Sequence, residues 1–104
     1  MGYTKIPSKI TIGGQELEIR RVERCDDNCL GQCAVADGYI EIADKHSKDC
    51  LQSTSSKENT FYHELTHAIL RSMGETELNE NEKFVCCFAG FLTDAMKNAY
   101  FAEE

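Results

Sequence analysis

The apolar residues of this chain change their spacing near residue 50, and this change restricts its possible folds more than any other feature. Before residue 50, apolar and polar residues alternate, which is the pattern of half-buried strands. Glycines between the alternating segments supply the positive φ that tight hairpin turns need. The segments are residues 9–12 and 16–22 around Gly13-Gly14, and residues 33–36 and 39–43 around Asp37-Gly38. The first half therefore predicts two hairpins, with three or four strands in all.

After residue 50 the spacing becomes helical. Ser55 is followed three residues later by Glu58, which fits a capping box, where each side chain bonds the other residue's backbone amide. This pair predicts a helix over residues 57–73. The helix is expected to end at Gly74, because glycine readily adopts the left-handed conformation that closes many helices.

A second helix is predicted to follow. Asn79 and Glu82 resemble a second capping pair, and the helix they open is expected to reach about residue 100. Cys86 and Cys87 lie together in its apolar run, and core packing is expected for both because buried thiols behave as small hydrophobic groups. The predicted apolar face of this helix comprises Phe84, Phe88, Phe91, Leu92 and Ala95.

Strands followed by helices predict an α+β fold. We expect a small mixed or antiparallel sheet of three to four strands, followed by two helices that pack together on one sheet face. The chain has 104 residues, which is enough for one hydrophobic core. Residues 1–104 are therefore expected to form a single domain.

Charge and hydropathy argue against several classes of partner. The chain has 18 acidic and 11 basic side chains, which give a formal net charge of -7. Binding to nucleic acid needs clustered lysine and arginine, so no nucleic-acid partner is expected. No window approaches the ~18 consecutive apolar residues of a membrane span, and no apolar leader is visible. We therefore expect no membrane partner and a cytoplasmic location.

The first predicted helix contains the pattern His63-Glu64-x-x-His67. Residues four apart share one helix face, so the two imidazoles can bind one metal ion. Zinc accepts imidazole ligands and lowers the pKa of a bound water toward ~7. Glu64 can then take the proton of that water as it attacks a carbonyl group. The pattern predicts one Zn²⁺ ion on His63 and His67, Glu64 as the general base, and hydrolysis of peptide bonds.

A catalytic zinc site commonly has a third protein ligand. Glu82 is favoured because the residues that share its helix face are small enough for close approach to the first helix. Glu82 could instead cap the second helix together with Asn79, and that role competes with zinc binding. Glu80 and His46 remain alternatives for the third ligand.

Two runs of sequence carry a family resemblance. FYHELTHAIL at 61–70 and MGETELNENEKFVCCFAGFL at 73–92 resemble small gluzincin-type zinc metallopeptidases, including minimal HExxH proteins of phages and mobile elements. The runs are also similar to ImmA/IrrE-type peptidases, which cleave phage or stress repressors. The resemblance covers the C-terminal half of the chain. It implies a zincin-like fold, a protein or peptide substrate, and a third zinc ligand on the second helix, where Glu82 is the matching position.

Two other functions remain open at this point. One is a non-catalytic, zinc-stabilised interaction module of phage or mobile-element origin. The other is a second metal site or redox site, formed by Cys25, Cys29, Cys33 and Cys50. Free, reduced cysteines are favoured over the latter, because thiols stay reduced inside cells.

The rest of a peptidase site is left open by the sequence. A tyrosine, histidine or arginine commonly stabilises the oxyanion, and Tyr39, His46, Tyr62 and Arg71 are candidates. An extended peptide can also bind by pairing with a sheet edge. Residues 39–43 are expected to supply that edge.

Overall fold

A four-stranded mixed sheet forms one layer of the fold in a computed structural model of the chain. The structure describes residues 6–23, 30–47 and 50–100, except for the side chains of residues 46 and 47. The strands are β1 (Lys9–Ile12), β2 (Gln15–Val22), β3 (Gly31–Ala34) and β4 (Tyr39–Ala43). Their order across the sheet is β1-β2-β4-β3. Three helices follow the strands, so the predicted α+β fold is confirmed.

Both predicted hairpins are present. β1 pairs antiparallel with β2, and the turn between them holds Gly13 and Gly14 at φ values of 58° and 83°. β3 pairs antiparallel with β4, and Gly38 at φ 82° closes a short 3₁₀ turn between them. Only glycine adopts such angles without steric cost. The two hairpins join through parallel pairing of β2 with β4, which makes the sheet mixed.

A two-stranded ribbon connects the sheet to the helices. It consists of β5 (Lys45–Ser47) and β6 (Cys50–Leu51). Gln52 follows the ribbon and is almost fully buried. Its amide nitrogen donates to the Ala43 carbonyl, and its amide oxygen accepts from the hydroxyl groups of Ser56 and Thr60. Gln52 therefore joins the end of β4 to the helix that follows.

That helix, α1, spans Thr54–Met73 and ends at Gly74 as predicted, with Gly74 at φ 78°. Its predicted start at a Ser55–Glu58 capping box is wrong. The helix begins three residues earlier than expected, because the Ser53 side chain accepts from the Ser56 amide at 3.1 Å.

Two further helices complete the described part of the chain. A short helix, α2 (Thr76–Glu80), replaces the predicted turn, and α3 spans Glu82–Lys97. The predicted cap at Asn79 is wrong, because the Asn81 side chain accepts from the Phe84 amide at 3.0 Å instead. Among the described residues, no helix is long and apolar enough to cross a membrane.

The core lies between one face of the sheet and α1. Alternate residues of β2 and β4 point into it, and residues three and four apart on α1 meet them. The buried members are Leu17, Ile19, Ile40, Ile42, Phe61, Leu65 and Ala68. This packing fixes the rotation of α1 and so decides which of its remaining faces points away from the sheet.

The aromatic face predicted for the last helix is not the face that packs. Instead, α3 buries Val85, Ala89 and Thr93. Small residues allow two helices to approach closely, which favours this side for packing against α1. Phe88 and Phe91 are exposed, and so are Cys86 and Cys87, for which core packing was expected.

Candidate metal centre

His63 and His67 stand on adjacent turns of α1 and lie next to the first residue of α3. Their ring centroids are 5.0 Å apart. Glu82 places one carboxylate oxygen 3.4 Å from Nε2 of His63 and the other 3.3 Å from Nε2 of His67. The structure therefore brings together the two histidines of the motif and the glutamate favoured as the third ligand.

These separations fit the ligand set of a tetrahedral zinc ion. Zinc binds histidine nitrogen and carboxylate oxygen at about 2.0–2.2 Å, so two ligand atoms of a tetrahedron lie about 3.3–3.5 Å apart. Each Nε2 atom lies at that separation from a Glu82 oxygen. Neutral imidazole nitrogen with carboxylate oxygen is also a donor set that zinc accepts. Each histidine thus stands at a zinc-like distance from a Glu82 oxygen, and the two distances involve different oxygens of that carboxylate.

In both histidines the second ring nitrogen, Nδ1, has a polar neighbour. Nδ1 of His67 donates to Oδ1 of Asn79 at 2.7 Å. Nδ1 of His63 lies 3.9 Å from Sγ of Cys86, which is within hydrogen-bonding range for sulfur. At His67, the proton that Nδ1 donates to Asn79 leaves the lone pair on Nε2 for a metal. Asn79 was predicted only as a helix cap, and no local sequence signal assigns it to a histidine twelve residues before it.

We expect Asn79→Ala to weaken zinc binding by about 10–100-fold, the usual effect of losing such an orienting partner. The reason is that the His67 ring would lose the acceptor that fixes its tautomer. Competition with a chromophoric chelator measures the affinity. Asn98→Ala is the matched control, since the Asn98 side chain bonds only Asp94 at the far end of α3. Equal zinc affinity in the two variants would contradict the role given to Asn79.

The charge state of His63 suits a metal ligand. Burial lowers the pKa of His63 and the neighbouring His67 lowers it further, while Glu82 opposes both effects. At neutral pH the His63 ring is therefore uncharged, and its contact with Glu82 is not an ion pair. A carboxylate that faces the neutral His63 ring attracts a cation to this site.

Glu64 lines the same cleft as His63, His67 and Glu82. Burial raises the pKa of the Glu64 carboxyl to about 7; His67 acts against this and Glu82 adds to it. A pKa near neutrality suits a group that must both accept and release a proton. Glu64 thus lies beside the histidines, and in the metal-free chain its carboxyl holds a proton more strongly than an ordinary glutamate does.

Gly31 of β3 is required for this packing. A Cβ atom at Gly31 would lie 2.5 Å from Cγ2 of Thr60, 3.0 Å from the Glu41 carbonyl oxygen and 3.4 Å from Cγ of Glu64. Only a glycine lets β3 approach α1 so closely. The sequence showed no sign of this requirement, because it arises between segments about thirty residues apart.

The histidines and Glu64 line a cleft of about 350 Å³ between α1, β3 and the start of α3. Its other lining residues are Gly31, Gln32, Cys33, Arg71, Asn79 and Glu82. A second cleft of about 350 Å³ adjoins it and includes Leu30, Asn59 and Thr60. The two clefts share Gly31, His63 and Glu64, so we describe them together as one groove beside the motif.

The edge of the sheet at this groove is β3. Residues 39–43 were expected to supply the edge, but that expectation is wrong, because β4 pairs with β2 on one side and with β3 on the other. Of the oxyanion candidates, Arg71 lines the cleft. Tyr62 packs edge-on against Phe61, and Tyr39 lies beneath the guanidinium of Arg20 at 4.0 Å.

The alternative third ligands differ in position. Glu80 is an exposed residue of α2 and does not line the cleft. His46 belongs to β5, and its side chain lies outside the described part of the structure. Among the described residues, the group whose ligand atoms all lie within 4.8 Å of one another consists of His63, Glu82 and Cys86, and His67 is not part of it. We favour the set with His67, because its two separations match zinc geometry and Cys86 meets the Nδ1 side of His63.

The remaining cysteines give no second site in the described residues. Cys25 and Cys29 lie outside them. Cys33 is half-buried in β3 and Cys50 is exposed in β6, and both are free thiols. Burial raises the pKa of the Cys33 thiol to about 11, so it stays protonated and unreactive at neutral pH.

No protein-family model matches this chain, and no curated protein or solved structure shows significant similarity to it.

Proposed function

We propose that this protein is a zinc-dependent metallopeptidase. The observation that carries the proposal is the meeting of three side chains from two helices: Nε2 of His63 and of His67 each lie within 3.4 Å of a Glu82 oxygen. Glu64 shares their cleft, where its carboxylate can accept a proton from a bound water. A metal ligand set beside a proton acceptor favours hydrolysis over a purely structural site.

Each residue has a distinct role in the proposed reaction. Zinc, when bound, supplies the Lewis acidity that polarises a peptide carbonyl and makes water nucleophilic near neutral pH. His63, His67 and Glu82 hold the ion, and Asn79 orients the His67 ring. Glu64 accepts the proton of the attacking water and returns it to the departing amine.

The groove also supports a protein or peptide substrate. β3 forms its wall through Gly31, Gln32 and Cys33, and among the described residues this strand pairs only with β4. An extended peptide can add to such an edge by backbone hydrogen bonds. Arg71 in the cleft supplies a cation that can stabilise negative charge on a substrate oxygen.

Zinc stoichiometry tests the proposal directly. We expect one zinc ion per chain after metal-replete purification, measured by plasma mass spectrometry, and casein cleavage that a chelator abolishes. His67→Ala and Glu82→Ala should weaken zinc binding by at least about 100-fold, because each removes one of three protein ligands.

Two controls distinguish the alternative ligands. Glu80→Ala and His46→Ala should bind zinc as tightly as the native chain does, because Glu82 is the proposed third ligand. A native protein that takes up no zinc would contradict the proposal. Loss of zinc in Glu80→Ala, with zinc retained in Glu82→Ala, would reassign the third ligand.

A non-catalytic, zinc-stabilised module is the second candidate function. The observation in its favour is that the ligands join α1 to the first residue of α3. An ion at this point would hold the two helices together whether or not chemistry follows. The two candidates differ in what Glu64 does, and a substitution there separates them.

A further inference from the structure

The side of α3 that faces away from α1 is strongly apolar. Phe88 is 46% exposed and Phe91 is 78% exposed, while Val85 and Ala89 on the opposite side are buried. Phe84 and Phe88 stack with ring centroids 5.8 Å apart. We call this side the outer face, and it consists of Lys83, Phe84, Cys87, Phe88, Gly90, Phe91 and Asp94. Neighbouring exposed aromatic residues are typical of a binding surface.

The outer face also has room for a close neighbour. A Cβ atom added at Gly90 would meet nothing within 4 Å. An open cleft of about 400 Å³ lies between this side of α3 and Asn59 of α1, and Cys87, Gly90, Phe91 and Asp94 of the outer face line part of it. Glycine in the middle of a helix weakens that helix, but it allows another backbone or an aromatic ring to approach closely. The face thus carries exposed phenylalanines and borders a shallow cleft.

Charges on the outer face are arranged so that the face complements itself. Lys83 and Asp94 are both exposed and lie about three turns apart on the same flank of α3. A two-fold axis perpendicular to α3, passing midway between them, would bring Lys83 against the partner's Asp94. The same axis would bring Asp94 against the partner's Lys83, which gives two identical ion pairs.

This axis also matches large side chains to small ones. It passes near Phe88, so the Phe88 rings of the two copies would contact each other. Cys87 would face the partner's Gly90, and Phe91 would lie over the partner's Cys87. A parallel arrangement would instead set the charged flank of one helix against the Phe84 flank of the other. The antiparallel arrangement alone satisfies both charge and shape.

We propose that the outer face of α3 binds a second copy of this chain, with the two α3 helices antiparallel about a two-fold axis. The proposal does not depend on the proposed peptidase activity, because none of the outer-face residues is a ligand of the candidate metal centre. One helix face is a small interface, so the dimer dissociation constant should be on the order of micromolar or higher.

Sedimentation velocity on the full chain tests this, over roughly 5 to 500 µM, because a small interface populates its dimer only at high concentration. The native chain should pass from monomer to dimer within that range. Lys83→Glu and Asp94→Lys should each raise the dimer dissociation constant by about tenfold, because each turns two attractive contacts into repulsive ones. The double variant Lys83→Glu/Asp94→Lys should return to within about threefold of the native value.

Lys9→Glu is the matched control for Lys83→Glu. It makes the same change in net charge at an exposed ion pair with Glu16 on the hairpin, and it should not alter dimerisation. Phe91→Ser should leave the chain monomeric while circular dichroism confirms that it is folded. A native chain that stays monomeric throughout would overturn the proposal, as would a dimer indifferent to the α3 variants. A double variant that dimerises no better than the single ones would overturn the antiparallel pairing.

Discussion

Replacing Glu64 by glutamine is expected to lower casein cleavage by roughly 10²–10⁴-fold, the usual contribution of a positioned general base. Glutamine has nearly the same shape as glutamate, but it cannot accept the proton of the attacking water. Zinc content should be unchanged, because His63, His67 and Glu82 remain. Turnover is measured on a metal-replete sample, with zinc determined in the same preparation.

Glu77→Gln is the control for this substitution. Glu77 is an exposed residue in the first turn of α2 and does not line the cleft, so turnover should stay at the native level. If Glu64→Gln keeps both zinc and full cleavage, the activity does not depend on Glu64 and the proposed mechanism is wrong. If no preparation cleaves casein or a peptide library but zinc stabilises all of them equally, the non-catalytic module is the better description.

The same substitution should stabilise the metal-free protein above neutral pH. Burial holds the pKa of Glu64 at about 7 in the folded chain, against an ordinary value of 4.5. Between these values the folded chain binds more protons than the unfolded chain, so the free energy of unfolding falls as the pH rises. At 1.36 kcal/mol per pKa unit, the loss reaches about 3 kcal/mol by about pH 8. A glutamine side chain does not titrate, so the Glu64→Gln chain does not lose this stability as the pH rises.

Urea unfolding in the presence of a chelator, from about pH 4.5 to about pH 8, measures this difference. The two chains should be similarly stable at the acidic end, and Glu64→Gln should be more stable by about 3 kcal/mol at the alkaline end. The lowered pKa of His63 raises stability with pH in both chains, so it cancels in the comparison. If the difference in stability between the two chains does not change with pH, folding does not shift the pKa of Glu64.

Prediction from the sequence was accurate where neighbours along the chain decide the structure. Gly13-Gly14 and Gly38 adopt the positive φ angles that the hairpin pattern requires. Gly74 ends α1 for the same local reason. The capping residues were less accurate, since Ser53 and Asn81 hold the helix starts in place of Ser55 and Asn79. Several polar residues stood near each start, and a small difference in local energy selects among them.

The aromatic face of α3 shows why helical spacing alone cannot identify a core. Phe84, Phe88 and Phe91 have the spacing of a buried face, yet α1 packs on the side that carries Val85 and Ala89. The helix has two apolar sides, and the one with small residues allows the closer approach. A sequence pattern reports that a side is apolar, but it does not report which surface will cover it.

The sequence by itself determined the two hairpins of the four-stranded sheet, the presence and end of α1, and the pairing of His63 with His67, because each depends on residues a few positions apart. Only the tertiary structure decided that β2 lies parallel to β4 and that Glu82 rather than Glu80 faces the histidines. It also decided that Asn79 holds the His67 ring and that Gly31 lets β3 approach α1. These features join distant segments, and packing of the whole core sets their geometry.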